Sequence, residues 1–109
     1  MTIYHIALST DWKKAKDNTD FYQCESLQTE GFIHCSTREQ IIPVANRFYK
    51  GMEGLILLKI DDDKVEAEIK YENLEGGDEL FPHIYGTLNL DAVIMESEFT
   101  PEADGYFTL

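Results

Sequence analysis

The chain has 109 residues, 43% of them apolar, and its 21 acidic side chains against 9 basic ones give a formal charge of −12. That length suits a single domain, residues 1–109, with enough apolar side chains for a packed core. A net charge of this sign repels phosphate backbones and anionic lipid, so nucleic acid and membranes are not expected partners, and a small molecule is.

Ile3 to Leu8 is rich in strand formers and predicts a first strand. Ser9-Thr10-Asp11 offers caps for a short helix over Trp12–Lys16, whose Lys13, Lys14 and Lys16 form the one basic spot. Asp17 to Glu30 is polar and irregular and predicts a loop. Phe32 to Cys35 reads as a short strand. Ser36 and Glu39 fit a capping box, Ile41, Ile42, Ala45, Phe48 and Tyr49 follow at helical spacing, and Gly51 stops the helix. Pro43 inside it predicts a kink or a division. Leu55–Ile60 is the most apolar run and predicts a central strand, with Asp61-Asp62-Asp63 as its turn. Val65 to Tyr71 alternates apolar and charged residues and predicts a half-exposed antiparallel strand. Phe81–Gly86 and Ala92–Phe99 complete an α+β pattern built on antiparallel sheet.

The N-terminus lacks the basic start and apolar core of a signal peptide, and no apolar run approaches the ~20 residues that span a bilayer. With only Cys24 and Cys35, free thiols in the cytoplasm are expected. Oligomeric state leaves no mark on the sequence.

All three histidines sit in apolar runs: Tyr4-His5-Ile6, Phe32-Ile33-His34-Cys35-Ser36 and Phe81-Pro82-His83-Ile84-Tyr85-Gly86. Imidazoles in such surroundings need hydrogen-bond partners or a ligand, and three converging rings would line a cleft. His34 precedes a helix start, where free N–H groups would favour an anion with Ser36 and Thr37 as added donors. His83 and Tyr85, two apart on a strand, share a face. The ligand-binding candidates are therefore His5, His34, Ser36, Thr37, His83 and Tyr85, with His34, His83 and Tyr85 as catalytic candidates. The commoner reading of each run taken alone is a core histidine bonded to nearby backbone.

No HxH, HxxxH or CxxC spacing supports a metal, and Cys35 beside His34 should face the other way. The Asp61–Asp63 run lacks the glycine and glutamate of a calcium loop. Glu72 reads as a strand end in solvent. The Phe81–Gly86 segment therefore offers no carboxylate beside its histidine and tyrosine.

Tyr4-His5-Ile6, Trp12 with Ala15, Ser26-Leu27 with Glu30-Gly31-Phe32-Ile33-His34-Cys35-Ser36, Ala45-Asn46-Arg47-Phe48, Tyr71-Glu72 and Phe81–Gly86 occur in that order. Together they resemble a small bacterial family of unassigned function, domain of unknown function 952. That family looks like a compact relative of the ADP-ribosyltransferase fold, which implies small antiparallel sheets around a cleft with two or three short helices. The resemblance implies NAD as a cofactor or substrate, with His5 anchoring ribose and His34 or Ser36 near the nicotinamide end. The expected function is binding of a nucleotide-like or other small anionic ligand in a histidine-lined cleft. The alternatives are NAD-dependent transfer or hydrolysis, and an interaction domain without a ligand.

Overall fold

The computed structural model describes residues 1–109. Strands β1 (Thr2–Leu8), β4 (Leu55–Asp61) and β8 (Val93–Phe99) form one antiparallel sheet in the order β1-β4-β8. Strands β3 (Ile33–His34), β6 (Phe81–Tyr85) and β5 (Glu68–Glu72) form a second in the order β3-β6-β5. A third pairs β2 (Phe21–Tyr22) with β7 (Leu88–Asn89). The helices are α1 (Ser9–Asn18), α2 (Glu25–Thr29) and α3 (Arg38–Phe48). The α+β class follows from this inventory.

Strand alternation sorts the first sheet into two apolar faces. Ile3, His5 and Ala7 lie opposite Ile60, Leu58 and Ile56 on one face; Tyr4 and Ile6 lie opposite Lys59 and Leu57 on the other. The first face packs on Trp12, Tyr22, Ile33, Cys35, Ile84 and Leu88. The second packs with Phe99 and Phe107 against Ile41 and Ala45 of α3. Each fully buried Leu, Ile or Phe contributes about 1.5–3 kcal/mol, so β1 and β4, apolar on both sides, anchor the fold. Tyr4 and Ser36 exchange backbone hydrogen bonds of 2.7 and 2.8 Å, which tie the far edge of β1 to the chain just after β3.

Several local expectations change. The stretch expected to be a loop contains β2 and α2, elements too short to leave a periodic trace. Helix α3 is capped one residue later than expected: Thr37 is the N-cap and forms the reciprocal box with Gln40, not Ser36 with Glu39. The Gln40 amide explains the choice, since its Oε1 accepts from Thr37 N–H at 2.9 Å and its Nε2 donates to the Leu80 carbonyl at 2.7 Å. Pro43 does not divide the helix, which runs unbroken from Arg38 to Phe48. The strand expected from Val65 begins at Glu68.

Pro82 lies in the middle strand of its sheet, an unusual place for a residue with no N–H. Its carbonyl accepts from Cys35 N–H at 3.0 Å, so its nitrogen faces the same side, where β3 has already ended. No ladder bond to β5 is lost. Gly86 ends β6 because Ala67 crosses it closely; a Cβ on Gly86 would stand 2.9 Å from the Ala67 Cβ.

Candidate functional site

Register across the second sheet creates a polar, aromatic face. His34 pairs directly with His83, and Lys70 pairs with His83 from the other side. By strand alternation Phe32 and His34, His83 and Tyr85, and Glu68, Lys70 and Glu72 share that face. Ile33, Ile84 and Cys35 point into the core.

His83 is nearly buried on this outer face. The Phe32 ring stacks on it at 4.2 Å between centroids, and the His34 ring meets it edge-on at 5.3 Å. Its Nδ1 lies 3.0 Å from Glu72 Oε1, which also accepts from the Tyr85 hydroxyl. A carboxylate only accepts, so Nδ1 carries a proton, and the neutral tautomer that makes this bond has its lone pair on Nε2. The Tyr85 and His83 hydrogen bonds hold the Glu72 carboxyl below its ordinary value. The same hydrogen bond to Glu72 pushes the Tyr85 phenol up to about 12. Lys70 Nζ lies 4.7 Å from the centre of the Tyr85 ring.

His34 is half exposed, and its Nε2 donates to Glu30 Oε2 at 2.9 Å. Gly31, with φ of 91°, turns the chain between Glu30 and Phe32. Two imidazole–carboxylate pairs therefore stand side by side, His34–Glu30 toward solvent and His83–Glu72 beneath aromatic cover.

His5 does not join them. Its Nδ1 meets the His34 carbonyl and its Nε2 lies 2.8 Å from the Tyr22 hydroxyl. Nδ1–H donates, Nε2 accepts from Tyr22, and the neutral ring is fully satisfied. Burial pushes its pKa down to about 4. His5 braces the β3 backbone from behind, with no ring nitrogen left for a ligand. Ser36 is buried with its backbone closed against Tyr4, and the Thr37 amide is taken by Gln40. The backbone N–H groups of Ser36 and Thr37 are thus already engaged.

Glu72 is the residue that reading the sequence misses. The signal existed in the alternation of Glu68, Lys70 and Glu72, but only strand register brings that row beside His83 and Tyr85. Elsewhere, the carboxylates of Asp61, Asp62 and Asp63 lie within 4.8 Å of one another. Asp62 is engaged by the Met1 amino group at 2.9 Å and the Tyr71 hydroxyl at 3.0 Å. Both cysteines are free, and burial pushes the Cys35 thiol far up. No helix is long and apolar enough to cross a membrane.

The family model for DUF952, described as a protein of unknown function, matches residues 6–96, and the chain belongs to that family. The crystal structure of protein CC0527 from Caulobacter crescentus is similar, with 30% identity, a TM-score of 0.88 and coverage of 100% of this chain and 95% of that one. The solution NMR structure of CC0527 is also 30% identical, with a TM-score of 0.85 over 99% of this chain and 92% of that one. No curated protein matches the chain.

Proposed function

We propose that the outer face of the β3-β6-β5 sheet binds a small nucleotide-like molecule. The observation that carries this reading is the Glu72–His83 hydrogen bond of 3.0 Å. It leaves His83 Nε2 as an acceptor for a hydroxyl such as those of ribose, while Lys70 supplies positive charge for an anionic group and His34 a second ring at the same face. Glu30 and Glu72 restrict that charge, so the ligand pairs a modest anionic part with hydrogen-bond donors. Thermal unfolding with NAD and with ADP-ribose tests it. At a hundredfold excess over Kd, a bound ligand adds about 2.7 kcal/mol, seen as a raised melting temperature in wild type and a smaller one in His83→Ala. No shift with either compound would remove the reading.

Glu72 also favours a second reading, NAD-dependent glycosyl transfer or hydrolysis of the ADP-ribosyltransferase kind. A carboxylate-oriented histidine is the arrangement of a general base. In hydrolysis, water would pass its proton to His83 Nε2 while its oxygen bonds the ribose C1′. The bond to nicotinamide breaks and nicotinamide leaves with the electron pair. Nicotinamide release by wild type above that of His83→Ala supports this reading; equal background release leaves binding alone.

A further inference from the structure

Nicotinamide departs from ribose as a neutral molecule, so its release employs His83 and leaves His34 with no proton to move. Yet the two histidines form a matched pair. They are direct cross-strand partners, with ring centres 5.3 Å apart. Their carboxylates hold opposite nitrogens, Glu30 at His34 Nε2 and Glu72 at His83 Nδ1. One nitrogen on each ring is left over, Nδ1 of His34 and Nε2 of His83. His34 is half exposed. His83 Nε2 is not sealed in, because the enclosed side-chain atoms that lack a partner belong to Trp12 and Asp62. Glu30, Glu68 and Glu72 outnumber Lys70 around the rings. That balance favours positive charge growing on a ribose C1′ and disfavours negative charge on a departing base. A base that would otherwise leave as an anion must therefore be given a proton.

We propose that the two histidines hydrolyse the N-glycosidic bond of a purine riboside, with His83 as general base and His34 as general acid. His83 keeps the general-base role of the catalytic reading, on which this substrate class rests. Protonated His34 keeps its Nε2–H on Glu30 and offers its Nδ1–H to the substrate. Water passes one proton to His83 Nε2 as its oxygen bonds C1′. The C1′–N9 bond breaks, its electron pair enters the base, and purine N7 takes the proton from His34 Nδ1. Ribose and free purine leave, and solvent returns the proton from His83 to His34. Water is the one co-reactant.

The test incubates the full chain with inosine and with p-nitrophenyl ribofuranoside, following release of hypoxanthine and of p-nitrophenolate. Thermal unfolding with ADP-ribose runs alongside. Wild type should release hypoxanthine above the buffer rate. His34→Ala should slow inosine cleavage about a hundredfold, with a much smaller loss on the p-nitrophenyl riboside, whose phenolate departs without a proton. His83→Gln should lose cleavage of both. Thermal unfolding of His34→Ala, a change at a half-exposed ring, checks that its fold is intact. Two outcomes overturn the assignment: no hypoxanthine release by wild type, or equal losses on the two ribosides in folded His34→Ala. A melting shift with ADP-ribose but no hypoxanthine release would sink this substrate class alone and leave the binding reading standing. No shift and no release would sink both.

Discussion

Glu72 and His83 lie on neighbouring strands but not opposite each other. Lys70 is the direct partner of His83, and Glu72 reaches diagonally from two residues further along β5 to accept from Nδ1–H at 3.0 Å. Diagonal neighbours on a sheet are within reach of long side chains, and here the reach converts a lone strand histidine into an oriented acceptor. Tyr85 reinforces it by donating to the same oxygen.

Removing the Glu72 charge should release both partners. In Glu72→Gln the Tyr85 phenol loses its anionic acceptor, and its pKa falls from about 12 toward its ordinary value of 10.0. Nitrogen-15 spectra of the imidazoles should show His83 in the Nδ1–H form in wild type and a mixture of tautomers in the variant. An unchanged phenol titration would mean that Glu72 and Tyr85 do not interact in solution.

His5 makes stability depend on pH in a defined window. Its folded pKa, about 4, lies below the ordinary 6.5, so the unfolded chain takes up a proton first. The contribution is complete above 6.5 and is lost as pH falls toward 4. Between about pH 7.5 and about pH 5, unfolding free energy should drop by about 2 kcal/mol from this group. The lowered carboxyls of Glu72 and Glu96 lose their contribution only below their ordinary 4.5, outside that window. Urea denaturation at the two pH values measures the drop, and His5→Gln should flatten it.

Gly86→Ala should destabilise through a close contact and through a backbone φ of 158° that L side chains rarely adopt. The new methyl would meet the Ala67 Cβ at 2.9 Å, and overpacking of this kind costs about 1–3 kcal/mol. Adding Ala67→Gly should recover part of the loss. Denaturation midpoints of the two single variants and the double variant give the coupling between them.

Gln40→Ala should loosen the start of α3 and the 79–80 segment together. The buried amide accepts from Thr37 N–H and donates to Leu80 O, and the substitution orphans both groups. The expected cost is about 1–3 kcal/mol, read by denaturation, with faster amide exchange at Thr37.

The long elements were legible in the sequence because each carries its own pattern. Leu55–Ile60 is apolar throughout since both faces of β4 are covered, and the alternation around Ile69 marks a strand with one wet face. Two-residue β2 and five-residue α2 are too short for any period and are held by tertiary contact. The site was half legible. The shared face of His83 and Tyr85 follows from spacing along one strand, but Glu72 enters through pairing between strands, which spacing does not encode. His5 misleads for the opposite reason: its apolar neighbours mark burial, and its ring serves the β3 backbone.

The central claim is that His34 and His83, and not His5, face a common ligand. Imidazole nitrogen-15 spectra during titration with ADP-ribose test it most directly. The account predicts shifts at both ring nitrogens of His83 and at His34, with His5 unmoved in its Nδ1–H form. Shifts confined to His5, or none at any imidazole up to saturating ligand, would contradict it.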